Sequence, residues 1–342
     1  MKRFHLFEWE DQVWLPTFIR DFITDHLHYF QNIPTRLQVN RAIAELLEPA
    51  LRETDTKQIV DLCTGAGGPL LEIQRILRND MNLNVKLVLT DLYPNVEALK
   101  KRESEGQGAV ISRYDPVSAF EVPSDLQGLR TLFTSLHHYK PEKARLILSD
   151  AALKRQPIAI IEILERTPRM LFKIAFSAFR QSLFYTPKVG RFTFKRFYIT
   201  YCLPIAPAMM LWDGLVSVLR SYTPDELLQM ASNIRSVDYV WRAGKFYFTG
   251  RWGLQMPTVY LIGFPRKIIT PEVKSSSQQA RPLFHRVQTQ TPFSAPAGED
   301  LVNIKADAVI FHRKPGLMVF GFDGDSYPGG PRIFADIAQG FL

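Results

Sequence analysis

Short apolar runs alternate along this chain with segments whose apolar residues recur at helical spacing. Five runs predict strands, at residues 58–62, 85–90, 109–112, 129–135 and 158–163. Helical patterns stand between them, at residues 69–78, 95–105 and 141–154. Strands that alternate with helices of about ten residues favour right-handed crossovers. The pattern therefore predicts an α/β fold with a doubly wound, mostly parallel sheet.

The flanking segments extend this pattern on both sides. Residues 4–30 predict an aromatic-rich helix with a break or turn at Pro16, and residues 36–51 predict a second helix. Further on, Thr223-Pro224-Asp225-Glu226 is a strong helix start. Strands are predicted at residues 237–241, 245–249 and 258–264, the last two as a pair that closes the sheet.

Composition divides the chain into a main domain and a tail. We assign residues 1–264 to the main domain, with residues 1–51 as a helical lid and residues 166–222 as an insertion. Pro, Ser, Gln and Thr dominate residues 265–303, which predicts a poorly ordered linker. Residues 304–342 are too few for a strong independent core and are predicted to be a small extension.

Overall composition is that of a soluble globular protein, with 46% hydrophobic and 22% charged residues. Cys63 and Cys202 are the only cysteines, which argues against a disulfide framework or a zinc site. No metal site is predicted. The cysteine count favours a reducing, cytoplasmic setting, and the charged N-terminus does not resemble a secretion signal.

The stretch with most chemical content is QIVDLCTGAGGPLL, residues 58–71. A strand ends in an acid, passes through a glycine-rich turn and opens a helix, as in nucleotide-binding folds. A dinucleotide site would need G-x-G-x-x-G, but Leu70 stands where the third glycine would follow Gly65 and Gly67. An S-adenosylmethionine site needs only a close backbone approach and an acid near the start.

Within that stretch, VDLCTGAGG resembles the first motif of class I S-adenosylmethionine-dependent methyltransferases, acid-x-G-x-G-x-G. Asp61 falls on the acid, and Gly65 and Gly67 fall on the second and third glycines. Cys63 stands where the first glycine is expected, which ordinary backbone dihedrals at that position would tolerate. The resemblance implies S-adenosylmethionine as cofactor and a seven-stranded sheet with helices on both faces.

Three later features match this family in the right order. The resemblance implies that Asp91, in LVLTDLYP, binds ribose hydroxyls, and that Asp115 contacts the adenine amino group. The segment TSLHHY resembles the family's active-site loop. The cofactor contacts that the resemblance implies are Asp61, Cys63, Gly65, Gly67, Asp91, Leu92, Asp115 and Ser135. It covers roughly residues 40–264.

Methyl transfer to a hydroxyl acceptor benefits from a general base. His138 and His137 are the first candidates, because their loop should lie at the carboxyl ends of the strands. Asp213 is the second, as an acid that ends a long apolar run. The alternatives are two structural histidines and a helix-capping aspartate.

Charge is distributed unevenly between the two halves of the chain. Residues 1–165 carry 20 basic and 23 acidic side chains, whereas residues 166–342 carry 22 and 11. Residues 166–212 contain no Asp or Glu, and their basic residues alternate with aromatic ones. This window can form an apolar acceptor pocket, contact a membrane surface or bind single-stranded nucleic acid, or its helices can simply cover the sheet. Phe and Leu outnumber polar base-reading residues, which favours the first two over nucleic acid.

The sequence therefore predicts a methyltransferase for a small apolar or membrane-associated acceptor. It would work in the cytoplasm, with a peripheral contact at the inner membrane surface through residues 166–212. The alternatives are an RNA or protein methyltransferase that uses the insertion, and a non-catalytic binding module with a methyltransferase-like fold. Cys63 is the only residue that favours the last of these.

Overall fold

A computed structural model gives the fold, and it describes residues 1–12, 14–31, 37–65, 67–189, 192–234, 238–249 and 255–266. The helices are α1 (Thr17–Gln31), α2 (Leu37–Glu53), α3 (Leu70–Met81), α4 (Val96–Glu105), α5 (Pro141–Leu153), α6 (Pro168–Tyr185), α7 (Phe194–Phe197), α8 (Ile205–Arg220) and α9 (Pro224–Ser232). The strands are β1 (Gln58–Asp61), β2 (Lys86–Leu89), β3 (Val110–Ser112), β4 (Leu129–Phe133), β5 (Ile158–Glu162), β6 (Tyr239–Thr249) and β7 (Gln255–Pro265).

The described strands form one sheet in the order β3-β2-β1-β4-β5-β7-β6. The first five are parallel, and β7 pairs antiparallel with both β5 and β6. This confirms the predicted doubly wound, mostly parallel, seven-stranded sheet. The strand order reverses between β1 and β4, so the switch point where such folds bind ligands lies beside the glycine turn.

Successive side chains of each strand point to opposite faces of the sheet, and each packs into the hydrophobic core on its own face. In β1, Ile59 packs with α2 and α3, whereas Val60 packs with α5 and α9. Helix starts follow the local sequence: proline occupies the first turn of α5, α6 and α9. Thr223 and Glu226 form a complete capping box at α9.

The described part of the predicted helix over residues 4–30 is helical only from Thr17, so the prediction is wrong for residues 4–12. Besides one local turn, in which the Gln12 N–H donates to the Trp9 carbonyl at 3.0 Å, backbone groups of this stretch bond to α8. The N–H of Phe4 donates to the carbonyl of Leu219 at 3.1 Å, and the N–H of Trp9 donates to Asp213 at 2.7 Å. These partners are more than 200 residues away, so local periodicity could not reveal them.

A second correction concerns β6, which is one strand and not two. It pairs with β7 without a break over eleven residues, from Tyr239 opposite Pro265 to Thr249 opposite Gln255. Gly244 is therefore not a turn residue. A Cβ there would lie 2.5 Å from the Tyr260 hydroxyl, so the glycine makes room for that ring.

The predicted linker and C-terminal extension lie almost entirely outside the described residues, which end at Arg266. Within the described part, no single helix has the length and apolar character needed to cross a membrane. One pair of helical segments, Phe194–Cys202 and Ile205–Arg220, meets that requirement by length and composition, but it is bent by 71°.

Candidate functional site

Five parallel strands bring their carboxyl ends to one edge of the sheet, and most of the predicted site residues follow those ends. The glycine turn follows β1, Asp91 follows β2, Asp115 follows β3, and Ser135 to His138 follow β4. Asp213 lies elsewhere, within α8. The parallel register therefore places residues that are up to 77 positions apart in the sequence along one edge.

The glycine turn uses backbone conformations that L side chains rarely adopt. Gly65, Gly67 and Gly68 have φ values of +55°, +93° and +40°. A Cβ on Gly67 would lie 2.8 Å from Cγ of Arg102, whereas one on Gly65 or Gly68 would meet nothing within 4 Å. The turn thus leaves open space beside Gly65 and Gly68 that a ligand can fill.

Cys63 also has a left-handed backbone, with φ +57°, so the condition under which a cysteine is readily tolerated there, ordinary dihedrals, is not met. A glycine at this position of the motif would adopt that conformation without strain. The Cys63 thiol lies 3.6 Å from the Tyr139 hydroxyl, and burial raises its pKa to about 11. The thiol is therefore protonated at neutral pH and is no nucleophile.

The two acids nearest the turn differ in environment. Asp61 is buried and accepts a hydrogen bond from the Thr131 hydroxyl at 2.7 Å, which joins β1 to β4. Burial raises the pKa of Asp61 to about 7. Asp91 faces the turn: its two oxygens accept from the N–H groups of Gly65 and Tyr93, each at 2.8 Å. A carboxylate has about four acceptor positions, so Asp91 retains capacity for a ligand.

The other predicted cofactor contacts lie on the same edge without joining these acids directly. Asp115 is exposed, with its carboxylate 3.8 Å from Arg113 Nε. Its loop is held near Asp91 by a 2.8 Å bond from the Val117 N–H to the Asp91 carbonyl. Leu92 is 39% exposed, and the Ser135 hydroxyl donates to the carbonyl of Phe133, two residues earlier in the chain.

His137 is held by a buried carboxylate that sequence reasoning missed. Glu162 ends β5 and is fully buried; its two oxygens lie 2.8 Å from His137 Nδ1 and 3.2 Å from the His137 backbone N. Because a carboxylate only accepts, Nδ1 donates, and in the neutral imidazole Nε2 is then the acceptor. A charged residue inside the apolar run IAIIEI was the available signal.

His138 instead faces residues of the N-terminal segment, which we define as residues 1–12. Its Nδ1 lies 3.0 Å from Asp11 and 3.1 Å from Glu8, and its ring stacks on His137 with centroids 4.3 Å apart. Burial alone would lower the pKa of His138, but the bond to Asp11 and the charge of Glu8 raise it to about 9. His138 is therefore a cation at neutral pH.

Asp213 lies inside α8 rather than at its end. Its two oxygens accept from the N–H groups of Trp9 at 2.7 Å and Glu10 at 3.2 Å. Burial raises its pKa to about 7, with Glu8 and Glu10 adding to the increase. The carboxyl group thus holds the N-terminal segment, and its role as a base remains a prediction.

The N-terminal segment covers the loop of residues 135–139, which we call the histidine loop. Arg3 donates to the carbonyls of His137 and Tyr139, and its guanidinium lies 4.0 Å from the Tyr222 ring centroid. Arg220 donates to the Leu6 carbonyl. Within the region proposed as a lid, this segment lies over the site, whereas α2 packs in the core beside α3.

One cluster among the described residues has the donors of a metal site: ligand atoms of Glu8, His137 and His138 lie within 4.8 Å of one another. However, Glu8 is ion-paired with Arg220 at 3.2 Å, and His138 is already hydrogen-bonded to Asp11. Arg220 and His138 therefore supply the positive charge that a metal ion would bring to this cluster.

An apolar groove runs between the N-terminal segment and α8, with a volume of about 600 Å³. Its lining is almost wholly apolar: Phe7, Trp9, Trp14, Leu15, Pro16, Ile19, Ile205, Ala208, Met209 and Trp212. Trp9, which lines the groove, follows Glu8 in the sequence, and the Glu8 carboxylate lies 3.1 Å from His138 Nδ1.

No protein-family model matches this chain, and no curated protein matches it. Among solved structures, an O-methyltransferase family protein from Burkholderia thailandensis is 14% identical, over 68% of this chain and 57% of that one, with a TM-score of 0.38. Human N-acetylserotonin methyltransferase in complex with S-adenosylmethionine is 15% identical, over 68% and 56%, with a TM-score of 0.35.

A third match is an O-methyltransferase from neocarzinostatin biosynthesis, in complex with S-adenosylmethionine and 2-hydroxy-5-methyl naphthoic acid. It is 14% identical, over 65% of this chain and 56% of that one, with a TM-score of 0.35. This chain spans a little over half the length of these three proteins. They are methyltransferases, the class that the sequence resembles, but at these identities and TM-scores they do not decide activity, cofactor or acceptor.

Proposed function

We propose that this chain is an enzyme that transfers a methyl group from S-adenosylmethionine to a small apolar or membrane-associated acceptor. The observation that carries the proposal is the pairing of Asp91 with the glycine turn at the switch point of the sheet. The Asp91 carboxylate lies against the Gly65 N–H at 2.8 Å, and open space adjoins Gly65 and Gly68. An acid and a left-handed glycine turn in this arrangement suit a nucleoside with free ribose hydroxyls.

The residues present fit that cofactor. Asp91 would accept from the ribose hydroxyls, and the left-handed turn at Gly65 and Gly67 would let the backbone approach the methionine part. Asp115, Leu92 and Ser135 line the same edge and would complete the contacts. When bound, the cofactor supplies the electrophilic methyl group, and the chain supplies orientation and a dry pocket.

Of the two histidines, His137 is the better candidate for the general base. Glu162 orients its ring and leaves Nε2 free to accept a proton from an acceptor hydroxyl. His138 is protonated at neutral pH in this arrangement, so it cannot accept a proton until Asp11 and Glu8 move away. It can instead place a positive charge beside the acceptor.

The apolar groove supports an apolar acceptor. It is of the size that small-molecule sites have, and Trp9, which lines it, follows Glu8, whose carboxylate contacts His138. An acceptor drawn from a membrane would suit the exposed aromatic side chains of residues 166–212. The low cysteine count supports a cytoplasmic setting at the inner membrane surface.

The test is calorimetric titration of the full chain with S-adenosylmethionine and S-adenosylhomocysteine. We expect binding by the wild type and at least tenfold weaker binding by Asp91→Asn, because an amide offers one acceptor oxygen in place of two. Asp125→Asn is the matched control: Asp125 is an exposed acid paired with Arg113, and its variant should bind as the wild type does.

Two outcomes would count against the enzyme. If the wild type binds neither ligand, the chain is better described as a non-catalytic module with this fold. If Asp91→Asn binds as tightly as the wild type while circular dichroism shows both folded, the nucleoside lies elsewhere.

A further inference from the structure

Large aromatic side chains point outward along α6 and α7. Phe172, Phe176 and Phe184 on α6 are 75%, 65% and 70% exposed, and Phe194 on α7 is 80% exposed. Scattered exposed apolar residues are normal, but a continuous apolar patch on a soluble protein marks an interaction surface.

Five exposed rings are joined by ring contacts into one surface, which we call the aromatic face: Phe192, Phe194, Phe197, Tyr198 and Tyr201. Ring centroids of Phe192 and Phe197 lie 6.3 Å apart, and those of Phe197 and Tyr201 lie 5.4 Å apart. The Tyr201 hydroxyl donates to the Leu183 carbonyl at 2.6 Å, which ties this segment to the end of α6. Ile205, four residues after Tyr201 in the sequence, lines the apolar groove.

The charge around the aromatic face has one sign. Residues 166–212 contain no acid. Lys188 and Lys195 are exposed, with their Nζ atoms 6.0 Å from the Tyr185 ring and 5.8 Å from the Phe18 ring. Each lysine ammonium group thus lies close to an aromatic ring. Asp25 of α1 contacts this segment, but it is ion-paired with Arg196.

We propose that the aromatic face docks on the surface of an anionic phospholipid bilayer. Lys188 and Lys195 would contact phosphate groups, while the rings enter the boundary between headgroups and acyl chains. Tyrosine and phenylalanine with basic neighbours suit this boundary, where one side is wet and the other apolar. The inference deepens the proposed function, on which it partly rests, because the groove would then open where a membrane-associated acceptor is found.

The test is co-sedimentation of the full chain with vesicles of phosphatidylcholine alone and of phosphatidylcholine mixed with phosphatidylglycerol, without any cofactor. We expect the wild type to pellet with the mixed vesicles. The double variant Lys188→Glu/Lys195→Glu should bind at least tenfold more weakly, because each basic residue contributes to attraction by anionic lipid. Phe194→Ser should also weaken binding, and it should leave the fold intact because the Phe194 side chain is 80% exposed.

Matched control variants carry the same kinds of substitution at positions away from the aromatic face. Lys100→Glu/Lys101→Glu alters two exposed lysines on α4, and Leu153→Ser alters an apolar residue that is 72% exposed. Both should pellet as the wild type does. Asp91→Asn should pellet too, so failure of the cofactor proposal would leave this result unchanged.

Three outcomes would overturn the docking proposal. One is a wild type that stays in the supernatant with both kinds of vesicle. Another is a control pair that loses binding as much as the Lys188/Lys195 pair. The third is selective loss of binding to single-stranded polyuridine by the face variants with no vesicle binding, which would assign the face to nucleic acid.

Discussion

Among the described residues at the carboxyl edge of the sheet, two other than glycine hold left-handed backbone. Cys63 follows β1 with φ +57°, and Thr134 follows β4 with φ +49°. A β-branched residue such as Thr134 is rarely found there. Strain of this kind persists where surrounding contacts determine the backbone, and it is common beside functional sites. The two positions flank the switch point between β1 and β4, which agrees with the proposed site.

The strain at Cys63 can be measured by changing the shape of its side chain. We expect Cys63→Val to lower the free energy of unfolding by about 2 kcal/mol, because a β-branched side chain fits a left-handed backbone poorly. Cys63→Gly should change it by less than about 1 kcal/mol, since relief of strain offsets lost packing. Urea denaturation provides the measurement.

Cys202→Val serves as the control, because Cys202 is exposed and has no left-handed backbone. If Val is tolerated equally at both positions, the left-handed conformation at Cys63 carries no strain.

At the scale of elements, the sequence predicted what local periodicity determines. The five parallel strands and the helices between them begin and end within a few residues of their predicted bounds. The structure also brings together Gly65 and Asp91, which the sequence assigned to one site: the glycine from the strand-turn-helix pattern, and the acid from the family resemblance. Their contact with a cofactor stays a prediction. Contacts over long sequence separations were missed. Glu162 and His137 are 25 residues apart, and Trp9 and Asp213 are 204 apart, so no local pattern joins them.

The N-terminal segment illustrates this point and gives an element-scale prediction. Arg220 is buried and joins the segment to α8 through Glu8, Asp11 and the Leu6 carbonyl. Arg220→Met should lower the free energy of unfolding by about 3 kcal/mol, because it leaves two partly buried carboxylates short of a cation. Hydrogen exchange at the backbone N–H groups of Trp9 and Glu10 should accelerate as the segment detaches.

The control for this prediction is Arg75→Met, which removes an exposed ion pair with Glu72 on α3. Exposed pairs contribute at most about 1 kcal/mol, so little change is expected. Unchanged exchange at Trp9 in Arg220→Met would mean that Asp213 holds the segment without help from Arg220.

At the scale of the whole molecule, three groups with raised pKa values each make a contribution to stability that depends on pH. Burial raises the pKa of Asp61 and Asp213 to about 7, and Asp11 and Glu8 raise that of His138 to about 9 against the effect of its burial. Each group binds its proton more tightly in the folded chain than in the unfolded one. The contribution of each of these groups to the free energy of unfolding therefore falls as pH rises through the window between its ordinary and its raised pKa.

The pH windows of Asp61 and His138 differ, so one variant of each residue can separate their contributions to stability. Asp61 titrates near 4 when unfolded, so its contribution is lost mainly between pH 4 and 7; that of His138 is lost between about pH 6.5 and 9. In urea denaturation, the free energy of unfolding of the wild type should fall by about 2 kcal/mol more than that of Asp61→Asn between pH 5 and 7, since one pKa unit corresponds to about 1.4 kcal/mol.

Between pH 7 and 9, the free energy of unfolding of the wild type should fall by about 2 kcal/mol more than that of His138→Gln. Asp125→Asn should follow the wild type throughout, because Asp125 is exposed. Parallel curves for the wild type and His138→Gln above pH 7 would mean that His138 is not held as a cation by the N-terminal segment, which would restore it as a candidate base.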